Sequence, residues 1–338
     1  GPENPLASVQ WASAPHCRWG GGMQFDGQVA LMTGGVQIDA EVVNADSPWL
    51  TRMTGEEMQF ALKSPIQLLD RSTLAAAEIK QISLARAKSE PVYVRAEQRT
   101  SADETNAIHI ITANRLDCSP GGGGEIFGTG PGWYRGWMMT DSNSSLLAGK
   151  AAETRPHLGS KVLQGVHLTF RESMRGDLDS ETLAFTGGVR TAVRKLDSWE
   201  DSVDIAQMER LDVGEMTMDC ERLQFGISPS VPDRIREIPG MPTPWEMTAE
   251  GGVVVRTNTE TRGLIEGTAA RTSFESTKSW LVIDGAAGQT AFVRQTWPDG
   301  RAGFQYRSSR MAINIKTFEF QTVMHEAQIN NVPTPQSE

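Results

Sequence analysis

The chain has 338 residues and a formal net charge of −10, from 32 Lys and Arg against 42 Asp and Glu. That balance argues against nucleic-acid binding, which needs a basic stripe to neutralise phosphates, and against a polybasic contact with a membrane surface. No stretch approaches the roughly 20 apolar residues of a membrane-spanning helix, and the length is ample for a core shared by two or three units.

Gly1-Pro2 reads as the remnant of a cleaved tag and is left out of the fold reasoning. From there the dominant signal is alternation. Phe25, Gly27, Val29 and Leu31 share one parity, with Gln24, Asp26 and Gln28 on the other, before a Gly34-Gly35-Val36 step. This period of two is that of a strand with one face in a core and one in water. Met58, Phe60 and Leu62 repeat it, then Val92 and Val94. Leu74 to Leu84 admits a short helix, because Ala75, Ala76 and Ala77 favour one. Gly121 to Gly124 after Ser119-Pro120 is turn chemistry, and Asp141 to Gly159 is a weakly patterned loop.

Val166, Leu168 and Phe170 form another strand, with His167 on its polar parity. A second Gly-Gly-Val step follows at Gly187-Gly188-Val189. Ser202 to Leu211 is ambiguous between helix and loop. Ser228 to Pro244 holds Pro229, Pro232, Pro239, Pro242 and Pro244, which cannot join a central ladder, so the main division falls there, with a softer one near residue 150. The third step, Gly251-Gly252-Val253, opens the last module. Trp280 to Ile283 lacks alternation and predicts a strand covered on both faces. Met311, Ile313 and Ile315 alternate, and the parity slips to Phe318 and Phe320 after Thr317, which predicts a bulge or bend. The expectation is an all-β chain of antiparallel jelly-roll modules at 3–150, 151–230 and 245–330, with few short helices. The second module is either a unit of its own or continuous with the first.

Chemistry-bearing motifs are sparse. The five histidines, His16, His109, His157, His167 and His325, are scattered, and His109 and His167 are expected to face solvent. No His-Glu-x-x-His, Cys-x-x-Cys or Gly-x-Ser-x-Gly occurs, so no metal or catalytic residue is assigned and no cofactor is expected. Gly128 to Gly132 is not a phosphate loop, because no Gly-Lys-Ser/Thr follows. Asp177, Asp179 and Glu181 lack the Gly and distal Glu of a calcium loop and read as a solvated turn. Cys17, Cys118 and Cys220 lie far apart, and Cys220 alternates with Met216 and Met218 as a buried hydrophobe would. Trp133 and Trp137 sit among glycines, where aromatics can stack on a sugar, cap a barrel end or cover a sheet edge.

The order of the last module carries a resemblance. Ala249-Glu250-Gly251-Gly252-Val253-Val254-Val255 is followed by Gly267-Thr268-Ala269-Ala270 with Phe274. Leu281-Val282-Ile283-Asp284-Gly285 comes next, then Ser309-Arg310-Met311-Ala312-Ile313. This succession resembles the OstA-like proteins, the periplasmic lipopolysaccharide-transport family of Gram-negative envelopes. It covers about a third of the chain, with weaker echoes near Phe25 to Glu41, Ile110 to Gly130 and Leu183 to Leu223.

The resemblance implies a twisted, open antiparallel jelly roll whose inner face carries glycolipid acyl chains, with no catalytic residues. It implies a cell-envelope location, a role in outer-membrane biogenesis, and strand-to-strand pairing with other jelly-roll modules of a transport system. The lipid-lining candidates are Phe25, Val29, Leu31, Phe185, Val189, Val253, Val255, Phe274, Leu281, Ile283, Met311 and Ile313. The same residues could instead fill an ordinary sandwich core. Two other functions stay open: a polysaccharide-binding or polysaccharide-processing β-sandwich, and a structural envelope protein without ligand.

Overall fold

The computed structural model describes residues 10–13, 15–44, 47–67, 78–87, 90–100, 104–119, 124–141, 161–177, 182–227, 245–276, 278–314, 319–322 and 328–330. The fold is all-β and antiparallel, as the alternation predicts. It opens with β1 (Gln10–Trp11), β2 (His16–Arg18) and β3 (Met23–Phe25), then the long strands β4 (Val29–Asn44) and β5 (Ser47–Leu62). Next come β6 (Ile79–Ala85), β7 (Val92–Arg99), β8 (Thr105–Ala113), β9 (Arg115–Ser119), β10 (Glu125–Thr129) and β11 (Gly132–Asp141). After β12 (Lys161–Phe170), β13 (Ser173–Asp177) and β14 (Thr182–Lys195) a 3-10 turn spans Ile205–Gln207. The remaining strands are β15 (Glu215–Ile227), β16 (Trp245–Thr259), β17 (Gly263–Glu275), β18 (Trp280–Asp284), β19 (Ala291–Thr296), β20 (Ala302–Ser308), β21 (Arg310–Asn314), β22 (Phe320–Thr322) and β23 (Gln328–Asn330).

Two compact units share the chain. One is Gly1–Met138 with Thr169–Phe185, the other Met139–Leu168 with Thr186–Glu338. The proline-rich segment 228–244 and most of the loop expected over Asp141 to Gly159 lie outside the described residues.

In the first unit β4 and β5 form one long hairpin with an offset in register between Thr33 and Val36. Gly34 (φ 87°) and Gly35 (φ 72°) fill that offset in a backbone region that side-chain-bearing residues avoid. The bulge divides the hairpin into two arms. One arm pairs β3 with β4 and β5 with β6, and continues through β9, β10 and β13. The other pairs β1 and β2 with β4 and β5 with β7, and continues through β8 and β11.

The second unit repeats this scheme. The hairpin β16–β17 is offset between Glu250 and Val253, where Gly251 (φ 81°) and Gly252 (φ 60°) sit. One arm of β17 continues through β18, β21 and β22. The other continues through β19, β20 and β23. The strand preceding each hairpin also corresponds: β15 runs along all of β16, where β1, β2 and β3 run piecewise along β4.

The core follows from register, because residues directly opposite in an antiparallel ladder share a face. Met32, Met58, Leu84, Leu116, Gly128 and Met174 form one continuous row, and the Met58 and Leu84 side chains are wholly buried. A Cβ added at Gly128 would lie 2.5 Å from the Met174 side chain, so the row needs glycine there.

Three expectations change. Residues 79–84 of the supposed helix form β6, because pairing with both β5 and β9 outweighs alanine's helical preference; residues 74–77 lie outside the described set. Ser202 to Leu211 yields only the 3-10 turn, capped by an Asp204 carboxylate that accepts the Ala206 N–H at 3.0 Å. The parity slip near Thr317 accompanies a chain reversal, since β21 and β22 pair with each other and Ile313 faces Phe320.

Gly34 and Gly35 give a sharp test of the bulge. A Cβ at Gly34 would fall 2.5 Å from the Gly21 backbone nitrogen, whereas one at Gly35 meets nothing within 4 Å. Gly35→Ala should cost about 1–2 kcal/mol, the strain of a left-handed alanine. Gly34→Ala adds a backbone collision and should cost clearly more; urea unfolding midpoints of the two variants measure the difference.

Candidate functional site

The sequence-predicted lining residues separate by register. On the second unit Phe274, Leu281 and Ile313 lie directly opposite one another, as do Ile283 and Met311 two positions along. Val253 and Val255 belong to the same inner face on the other arm. Register thus puts all of these on one face of the sheet, although only some of them meet in one cluster. Ile283, Met311 and Ile313 are buried in one cluster with Ala291 and Val293, against which Leu281, Ile265, Ala269, Phe304, Tyr306 and Phe320 pack. Side chains of both arms thus fill the space between them.

Phe304, Tyr306 and Phe320 are only half-buried. Their rings lie 4.7–5.1 Å apart in mutual contact. Phe320 belongs to β22, and β20, which carries the other two, lies next to β23. The apolar interior of this unit therefore reaches a partly exposed aromatic rim. Sequence reasoning used Phe320 only as a parity marker and overlooked Phe304 and Tyr306. Their alternation on β20 was the available signal.

On the first unit Phe25 points to the methionine side of the sheet, but Val29 and Leu31 do not. Asp26 Oδ1 accepts the N–H groups of Gln28 (2.8 Å) and Val29 (2.7 Å), and Gly27 takes φ 100°, so the chain reverses between β3 and β4. Phe25 then opposes Ala30, and Leu31 opposes Gln24 and Gln59 on the outer face. Unbroken parity through residues 25–31 is corrected to a hairpin. Phe185 is fully buried against Phe170 (5.4 Å between centroids) and Tyr134 (6.5 Å). Val189 is fully buried as well.

Both histidines expected at the surface are withdrawn from it. His167 is 7% exposed, and its Nδ1 lies 2.9 Å from the Val203 carbonyl. The half-buried His109 stacks between Trp49 (5.9 Å) and Tyr134 (6.1 Å), with Nδ1 2.9 Å from the Tyr134 hydroxyl. Burial pushes the His109 pKa down and holds the Tyr134 phenol protonated. The neutral polar parity of these strands hid a second packed face.

Trp133 and Trp137 belong to β11, which pairs with β8. Trp133, Arg135 and Trp137 share one face, with the Arg135 guanidinium 4.8 Å over the Trp133 ring. That face continues across β7, β5 and β4 to an open cleft of about 740 Å³. Its principal charged residues are Arg18, Asp39, Arg52, Arg95, Glu97 and Arg99. Arg52 binds Asp39 at 2.6 Å and, with Gln37, holds that carboxyl below its usual range. Glu97 accepts from Arg95 (2.9 Å) and Arg99 (3.2 Å).

Among the described residues no group of three His, Cys, Asp or Glu side chains converges as a metal site, and no helix is long and apolar enough to cross a membrane. Burial raises the pKa of Cys118 to about 11 and that of Cys220 to about 12, so neither offers a thiolate nucleophile at neutral pH. No protein-family model and no curated protein matches the chain.

The depressed His109 pKa has a defined sign. Below about pH 6.5 the unfolded imidazole takes up a proton that the folded one refuses, so stability falls as pH drops through that value. His109→Gln should flatten the decline in urea midpoint between about pH 7.5 and 5.5 relative to the parent. Equal slopes in both proteins would remove His109 as its source.

Proposed function

We propose that this protein binds an amphipathic glycolipid of the lipopolysaccharide type, without chemical turnover, and conveys it across a cell-envelope space. The supporting observation is the interior of the second unit, which is apolar along both arms and ends at the half-exposed Phe304, Tyr306 and Phe320. Acyl chains would engage this rim first and then part the arms, replacing side-chain contacts with hydrocarbon. Each buried CH₂ is worth about 0.8 kcal/mol, so a twelve-carbon chain supplies on the order of 10 kcal/mol before ordering costs.

The duplicated module supports the same reading. A carrier that hands its cargo onward gains from a second apolar interior, and strand pairing with similar modules would give it a route for the hand-over. A polysaccharide hydrolase is less well supported. Such an enzyme needs a carboxylic acid kept protonated near neutrality. In the cleft of the first unit the Arg52 and Gln37 hydrogen bonds push Asp39 the opposite way.

The test is a titration of the delipidated full chain with a fluorescent fatty-acyl probe, competed by lipopolysaccharide. Phe320→Asp should weaken binding by roughly tenfold or more, since a charge at the rim opposes entry of hydrocarbon. Phe127→Asp is the control, because Phe127 is 45% exposed and lies opposite Asp117 and Arg175 on an outer face. Absence of probe binding, with no lipid in solvent extracts of the purified protein, would reject the reading.

A further inference from the structure

The two units share a pairing scheme, so each supplies a reference for the other. Counting from the Gly-Gly step, Asp39, Arg52 and Arg95 of the first unit correspond to Arg256, Glu266 and Arg294 of the second. Each triplet is one cross-strand row: Asp39 opposes Arg52 and Arg52 opposes Arg95; Arg256 opposes Glu266 and Glu266 opposes Arg294. The second unit alternates charge along its row. Glu266 lies between Arg256 (3.5 Å) and Arg294 (2.6 Å) and compensates both.

The first unit breaks that rule. Arg52 and Arg95 face each other directly, an arrangement that is destabilising between adjacent strands. Asp39 flanks the pair at the end of the row, and Glu97 lies two residues along the strand from Arg95. Arg52 uses its Nε on Asp39, and Arg95 uses one terminal nitrogen on Glu97. A guanidinium has five N–H donors, so several on each arginine remain for a ligand. Arg18 and Arg99 line the same cleft, and Tyr93 lies on β7 two residues before Arg95. In the second unit the position of Tyr93 is taken by Phe292, whose ring is covered by Arg307 at 5.0 Å.

We propose that the cleft over Arg52 and Arg95 is a binding site for an anionic saccharide, a sugar carrying a phosphate or carboxylate group. The facing guanidinium groups take the anionic substituent through charge-assisted hydrogen bonds. The cleft, at about 740 Å³, is far larger than a bare anion and of the size that holds a small organic ligand. Its carboxylates argue for the sugar. Glu41 and Asp39 in the lining accept hydrogen bonds from hydroxyl groups, whereas a polyanion would be repelled by them. Tyr93 adds an aromatic ring at the site.

Calorimetric titration of the full chain with glucose 6-phosphate, glucuronate, inorganic phosphate and glucose tests the site. Both anionic sugars should bind, more tightly than phosphate, and glucose should not. Arg52→Gln and Arg95→Gln should each weaken glucose 6-phosphate by about tenfold or more, the loss of a charge-assisted bond. Each variant relieves a like-charge pair but also removes an ion pair, Arg52–Asp39 or Arg95–Glu97, so far-UV circular dichroism of each ligand-free variant checks that the fold is intact. Binding unchanged in both variants, phosphate binding as tightly as the sugars, or no anionic sugar binding at all would overturn the assignment. A purely structural ion-pair ladder would show the last result. Displacement of bound glucose 6-phosphate by lipopolysaccharide assigns the site to a glycolipid headgroup, and its absence assigns it to soluble sugars. Phe320→Asp should leave this binding intact, which separates its fate from that of acyl binding.

Discussion

A strand rises about 3.3 Å per residue, so the 16 residues of β4 would span about 50 Å if straight, well beyond the usual strand of five or six residues. The Gly34-Gly35 step removes that difficulty by turning one hairpin into two arms. Both glycines take positive φ, and the register on either side is offset. Because β4 and β5 contribute to both arms, the arms cannot choose their partners independently. The strands after the hairpin must then sort themselves: β6, β9 and β10 extend one arm, while β7, β8 and β11 extend the other. The same constraint at Gly251-Gly252 distributes β18, β21 and β22 against β19, β20 and β23. The bend therefore decides the topology, and the hydrophobic faces follow from it.

What fills the interior bears on what the interior can do. In the first unit the central row joins Met32, Met58 and Met174 with Leu84 and Leu116. Methionine is unbranched and has three rotatable bonds, so such a row can repack around a changed neighbour at lower cost than β-branched residues can. The interior of the second unit is built differently. Ile283, Val293 and Ile313 give it stiff walls, Met311 lies among them, and Phe304, Tyr306 and Phe320 close it as a rim of rigid rings.

Much of this was legible in the sequence where one strand kept one parity. Phe274, Leu281, Ile283, Met311 and Ile313 each lie within an uninterrupted strand, and register places them on one face. Legibility failed where parity crossed a turn. Asp26 and Gly27 lie between Phe25 and Val29 without disturbing the alternation, so a reversal looked like continuity. At β11 the glycines beside Trp133 and Trp137 drew attention away from Trp-x-Arg-x-Trp, which is itself strand-like. His109 and His167 were misplaced because a polar residue on a strand was equated with solvent. Both strands have a second face covered, and each imidazole gains a hydrogen-bond partner there. The charged cleft was invisible for another reason: Arg18, Arg52 and Arg95 are far apart in sequence and meet only through ladder register.

The duplication turns that last point into an argument about specialisation. Equivalent inner rows of the two units remain apolar, since a polar substitution there would leave a buried group without a partner. The outer rows carry no such restriction, and they have diverged. Arg256, Glu266 and Arg294 form a compensated ladder, the arrangement expected when an exposed face has only stability to serve. Asp39, Arg52 and Arg95 do not, although the backbone pairing beneath them is the same. Burial cannot account for the difference, because the Arg52 side chain is 58% exposed and Arg95 41% exposed. Fold requirements do not account for it either, because the second unit satisfies the same fold with charges alternating. Asp39 and Glu97 each take one of these guanidinium groups, so what sets the first unit apart is the face-to-face placement of two like charges, and the shared scaffold does not require it.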